Sequence, residues 1–94
     1  MLKRIFVYEI RKKLDPHNSQ FYCYLVYDLH RNKIVGRFND EDQRIARHTC
    51  DEFLKAYDTP EYLVIRREWP LHVWPKDMNE EYVIQRIRNS EIVK

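Results

Sequence analysis

Nine consecutive residues, Phe21-Tyr22-Cys23-Tyr24-Leu25-Val26-Tyr27-Asp28-Leu29, are apolar or aromatic at nearly every position rather than at alternate ones. As a strand, the segment points Phe21, Cys23, Leu25, Tyr27 and Leu29 to one face. Tyr22, Tyr24 and Val26, followed by Asp28, point to the other. A half-buried strand alternates apolar with polar. This one therefore requires cover on both faces, from the chain itself, a second subunit or a ligand.

The rest of the pattern supplies its neighbours. Residues 4–12 read as a strand through Ile5, Phe6, Val7, Tyr8 and Ile10, which supply β-branched and aromatic side chains. Asp15 to Ser19 form a polar turn, and residues 30–33 form another before a third strand at residues 34–38. Short polar connections of this kind predict an antiparallel meander. A helix follows, with Asn39 as its cap and Asp40, Glu41 and Asp42 in its first turn, where the helix dipole favours negative charge. Ile45, Ala46, Thr49, Cys50, Phe53, Leu54 and Tyr57 recur at one-face helical spacing, and Asp58-Thr59-Pro60 stops the run. Residues 61–69 read as a fourth strand. Asp77 with Glu80 resembles a capping box that starts a short second helix, with Met78, Tyr82, Val83, Ile84 and Ile87 facing inward; a strand over 81–87 competes with it. Residues 90–94 read as a frayed tail, in which Ile92-Val93 offers a possible edge strand.

The fold class expected is α+β. A three- to four-stranded, mostly antiparallel sheet in β-β-β-α-β order carries one main helix on one face and a short C-terminal helix or strand. The 94 residues show no compositional break, so a single domain over 1–94 is expected. A chain of this length buries roughly 60–65% of its unfolded surface, enough to fold with little stability in excess.

Composition narrows the class. The balance of 44% hydrophobic and 34% charged residues belongs to globular proteins rather than to disordered or membrane chains. No apolar run reaches the ~18–20 residues of a membrane span, and the start of the chain is interrupted by Glu9 and Arg11-Lys12-Lys13. A cytoplasmic protein is expected, with Cys23 and Cys50 as buried thiols. One glycine, Gly36, excludes a glycine-rich phosphate loop.

The net charge of +2 is unevenly placed. Residues 1–37 carry eight basic and three acidic groups, residues 38–62 three and seven, and residues 63–94 six and five. A basic face and an acidic face follow, a separation that head-to-tail self-association would use as readily as a nucleic acid would.

Candidate chemistry is sparse. His17, His30, His48 and His72 form no ligand pair, so no metal, cofactor or catalytic residue is assigned. Two aromatic features carry the binding expectation. If Ile5, Val7, Phe21, Cys23, Leu25 and Tyr27 pack under the helix, Phe6, Tyr8, Tyr22 and Tyr24 lie on the opposite sheet face with Arg4 beside them. The second feature is Trp69-Pro70-Leu71-His72-Val73-Trp74-Pro75, whose Trp69 and Trp74 sit on proline-bounded extended backbone and would lose little entropy on docking.

The function expected is a small non-enzymatic interaction module. It would dimerise through the aromatic face and bind a protein partner through that face or the Trp69–Trp74 segment. Single-stranded nucleic acid is the alternative, stacked on Phe6, Tyr8, Tyr22 and Tyr24, with Arg4, Arg11, Lys12 and Lys13 as the basic surface. A small ribonuclease built on His30 with nearby Arg and Lys is the third reading.

Overall fold

The computed structural model describes residues 2–13, 20–69 and 79–92. Three strands come first: β1 (Lys3–Lys13), β2 (Gln20–Asp28) and β3 (Lys33–Asp40). Helix α1 (Gln43–Leu54) follows, prolonged by a 3-10 turn at Lys55–Tyr57. Strand β4 (Tyr62–Glu68) and helix α2 (Glu80–Glu91) complete the chain order. The strands form one sheet in the order β3-β2-β1-β4. Strand β2 is antiparallel to both β1 and β3, while β4 runs parallel to β1. The protein is thus α+β with a mostly antiparallel sheet, as the pattern of residues predicts. The expected turn at 15–19, the Pro70–Pro75 strap with Trp74, and the Asp77–Met78 helix start lie outside the described residues.

Each face of the sheet has its own core. Ile5, Val7, Tyr24 and Val26 pack against Ala46, Cys50 and Leu54 of α1, with Tyr22, Phe38, Phe53 and Val64 at the margin. Phe6, Tyr8, Ile10, Cys23, Leu25 and Tyr27 pack against Val83 and Ile87 of α2 and against Trp69. The two helices meet the requirement that β2 imposes: Cys23, Leu25 and Tyr27 are buried on one face and Tyr24 and Val26 on the other.

The pairing of β1 with β2 differs from the sequence expectation. The register sets Val7 opposite Val26 and Phe6 opposite Tyr27, so Ile5 and Val7 share a face with Tyr22, Tyr24 and Val26. Phe6 and Tyr8 share the other face with Cys23, Leu25 and Tyr27. The four aromatics expected on one open face are therefore divided between the two. A slip of one residue exchanges the faces of a whole strand, and alternation within each strand does not fix it.

Between β2 and β3 the register shifts at Val26/Tyr27, where Val26 faces Gly36 and Tyr27 faces Ile34. The extra residue, Val35, restores the match of faces: Ile34 packs on the α2 side and Val35 on the α1 side. Gly36 makes room for the rings that close this end, since a Cβ there would stand 2.7 Å from the Phe38 ring. Phe38 in turn packs on Phe53, with centroids 5.2 Å apart.

Both helices start later than expected. Asn39 and Asp40 end β3, and Asp42 is the cap of α1, its carboxylate accepting from the Arg44 backbone N–H at 2.9 Å. Asp40 accepts from the Asp42 N–H at 2.8 Å, so the acids fold the entry to the helix rather than fill its first turn. The Arg44 side chain and its N–H hold the Asp42 carboxyl below its usual range. Residues 80–91 are helical, not a strand, and Asn79 caps them by accepting from the Tyr82 N–H at 2.9 Å. Glu80 and Glu81 lie in the first turn and Arg88 in the last, matching the dipole. Ser90 belongs to this helix rather than to a tail. Among the described residues no helix is long and apolar enough to cross a membrane.

Candidate docking surface at the open end of the sheet

The aromatic residues expected to bind a partner are mostly inside the molecule. Phe6, Tyr8 and Tyr24 are each no more than 4% exposed. Tyr8 is held between Trp69, edge-on at 5.5 Å, and Glu91 of α2, which accepts its hydroxyl at 3.0 Å. Burial first, and then the Glu91 carboxylate, raise the Tyr8 pKa far above that of a free phenol. Trp69 is buried and its N–H continues the β1–β4 pairing to the Glu9 carbonyl. Tyr22 is half-buried beside α1, and Trp74 is outside the described residues.

The expected basic surface is not one patch either. Arg4 and Arg11 lie near opposite ends of β1, roughly 23 Å apart at ~3.3 Å per residue, and alternation places them on opposite faces. Lys12 and Lys13 close β1 at the Arg11 end. Of that basic group, Arg4 stands alone where the sheet is open.

The register shows what surrounds it. Arg4 is opposite Leu63 of β4, and the Leu29 N–H donates to the Arg4 carbonyl at 3.1 Å, extending the β1–β2 ladder by one position. Leu29, Arg4 and Leu63 therefore form a row across three strands, on the face that carries Phe6 and Tyr8. The α2-side core takes in the rows of Phe6, Tyr8 and Ile10 and, at the β2 end of this row, Leu29, while Arg4 and Leu63 stay outside it. Leu2 is 52% exposed and Leu63 45%, while Arg4 is exposed and Leu29 half-buried. Leu2, Lys3, Arg4, Leu29 and His30 line a shallow, mostly apolar depression there. Lys3 lies over the Tyr62 ring at 5.7 Å. The buried Asp28 behind the row is engaged by Arg31, whose Nε is 3.6 Å from its carboxylate. Among the described residues Arg4 has no ion-pair partner. The Lys3 amine, over Tyr62, lies toward the α1 face, and the hollow is apolar with the Arg4 guanidinium as its cation.

A second constellation stands at the opposite end, where β1 and β4 finish. Glu9 and Glu68 are register partners, and Gln43 at the start of α1 donates to Glu9 at 2.8 Å and to the Tyr24 hydroxyl at 3.4 Å. Arg47, Arg66 and Arg67 line the same crevice. Arg66 pairs with Asp51 at 3.0 Å and Arg67 with Glu91 at 3.0 Å, while Arg47 lies 3.9 Å from Asp51. These charges answer one another across β4, α1 and α2. They tie the helices to the sheet more than they present a surface.

Sequence reasoning missed Leu2, Leu29 and Leu63 because each reads as an ordinary strand residue. Only the pairing of three strands lines them up. His30, the pivot of the ribonuclease reading, lies on the rim of the hollow with Lys3 and Arg4. Among the described residues no three His, Cys, Asp or Glu side chains are placed to hold a metal ion. No protein-family model, curated protein or solved structure matches the chain.

Proposed function

We propose that this chain is a small interaction module that docks a protein segment at the Leu29–Arg4–Leu63 row. The observation that carries the reading is the contrast along a single sheet face. Most of that face is sealed by α2, while at its end Leu2 and Leu63 are about half exposed on either side of Arg4. Exposed leucines beside a guanidinium that has no ion-pair partner among the described residues favour a partner offering an apolar side chain next to carboxylates. The apolar part supplies affinity, and the charges supply orientation and on-rate. Protein is favoured over single-stranded nucleic acid because Phe6, Tyr8 and Tyr24, the rings a base would stack on, are occupied by internal packing.

The test is NMR titration of the full chain with two synthetic peptides, one presenting a leucine between glutamates and the other the same leucine between lysines. The acidic peptide should shift the amides of Leu29, His30, Arg4 and Leu63, and salt should weaken the effect. The Arg4→Glu variant should lose it. Equal response to both peptides, or shifts confined to the Glu9–Arg66 end, would overturn the reading.

A further inference from the structure

We infer that β4 pairs antiparallel with β4 of a second copy, centred on Val64, so that two sheets join into one. The edge involved shares only Leu63 with the docking row proposed above. Among the described residues no strand lies beyond β4. The Lys3 N–H donates to the Glu61 carbonyl at 2.8 Å, and the Trp69 N–H donates to the Glu9 carbonyl at 3.0 Å. Odd-numbered residues of β4 thus direct their backbone groups toward β1, and even-numbered ones direct theirs outward. The Tyr62 N–H turns back to the Thr59 carbonyl at 3.2 Å. That leaves the Tyr62 carbonyl and both groups of Val64 and Arg66 along the edge, a template for another strand.

The two edges of the sheet differ in their protection. Strand β3 carries the extra residue Val35 and exposes Lys33 and Arg37. A bulge and charged side chains blunt an edge against pairing. Strand β4 pairs with β1 in unbroken register and has no glycine or proline, and its first half contains the apolar run Leu63-Val64-Ile65.

The order of side chains about Val64 selects a second copy as the occupant. Antiparallel pairing centred there sets Leu63 of one copy opposite Ile65 of the other on the α2 face, and Val64 opposite itself on the α1 face. Further out, Tyr62 meets Arg66 and Glu61 meets Arg67, each twice by symmetry. Glu61 is exposed and has no ion-pair partner among the described residues. Arg66 keeps Asp51 at 3.0 Å and Arg67 keeps Glu91 at 3.0 Å, and both arginine side chains remain about half exposed. Arg67 directs Nε to Glu91 and Nη1 to the Arg66 carbonyl, which leaves Nη2 for Glu61 of the second copy. Centring on Ile65 would instead set Arg67 opposite Leu63 and Arg66 opposite Val64, losing both matches. Pairing about Val64 is isologous, so it closes at two copies. One short strand from each copy is a small interface, so the dimer is reversible and concentration-dependent.

Sedimentation of the full chain over rising concentration should show the mass moving from one copy to two and no further. Glu61→Arg and Arg67→Glu should each weaken dimerisation by roughly tenfold, because each sets like charges opposite one another at both ends. An equimolar mixture of the two should regain the dimer, as should the double variant; a role confined to the fold of one copy gives no such rescue. On oxidation, Leu63→Cys mixed with Ile65→Cys should form a cross-linked dimer, the native Cys23 and Cys50 being buried. A wild-type chain that stays at one copy at millimolar concentration would refute the inference, as would growth past two copies or a mixture that fails to dimerise. Ile65→Cys cross-linking to itself would overturn the register. If the acidic peptide binds a chain that remains a monomer, the docking row stands and the edge pairing falls.

Discussion

Asp28 illustrates how one side chain sets a turn. It is the buried charged residue among those described, and its carboxylate accepts the Arg31 N–H at 3.1 Å. That bond shapes the Leu29–Asn32 turn, in which Asn32 adopts a left-handed φ of 54°. The Tyr27 hydroxyl donates to the Asn32 side-chain oxygen, and Arg88 of α2 donates to the same atom at 3.3 Å. Asp28→Ala leaves a turn N–H without its acceptor and should cost about 1–3 kcal/mol in urea unfolding. Asp28→Asn keeps an acceptor oxygen and should cost less; equal losses would show that charge rather than the hydrogen bond matters. The sequence marks Asp28 only as a break in an apolar run. That it is buried, and what it holds, required the turn to be seen.

The thiols carry a pH prediction. Burial pushes Cys23 and Cys50 up from 9.0 to about 11, on opposite sides of the sheet. A folded-state pKa above the unfolded one means that the unfolded chain loses its proton first. The associated stability is complete below pH 9 and disappears as pH rises toward 11, on the order of 2 kcal/mol per thiol. Tyr8 and Tyr24, also raised chiefly by burial, act in the same direction. Urea midpoints should stay level from pH 7 to 9 and fall by pH 10.5, and both thiols should resist a thiol reagent until unfolding. Flat midpoints through pH 10.5 would contradict the assignment.

At the scale of elements, α2 is the part that decides what the protein shows to solvent. It lays Val83 and Ile87 over Phe6, Tyr8 and Tyr27, converting a potential aromatic platform into interior. Ile87→Ala should lose about 2–4 kcal/mol and increase binding of a hydrophobic dye, as the cover over that face loosens. A loss below 1 kcal/mol would mean that α2 contributes little to the core. The elements themselves were legible: each strand and the main helix lie within a few residues of the places that apolar spacing indicates. Their ends were not, because Asn39, Asp40 and Asp42 can all cap a helix, and only the length of β3 decides which one does. Nor was the inward face of α1 fully legible. Helical spacing groups Ile45 and Thr49 with Ala46 and Cys50, yet Ile45 and Thr49 are exposed while Ala46 and Cys50 are buried.

For the whole molecule, the sequence by itself determined the α+β class, the β-β-β-α-β order with the last element left as helix or strand, and the need to cover both faces of β2. These follow from local spacing of apolar side chains, a property that each segment carries whatever surrounds it. The tertiary structure alone decided which strands share a face, since pairing Val7 with Val26 rather than with a neighbour reverses every side chain of one strand relative to the other. It also decided that α2 rather than a partner covers Phe6 and Tyr8, and that the cover stops one row short of Arg4. At that end of the sheet Leu29 and Leu63, distant along the chain, flank Arg4. Long-range register and helix placement are cooperative outcomes of packing, and no local pattern encodes them.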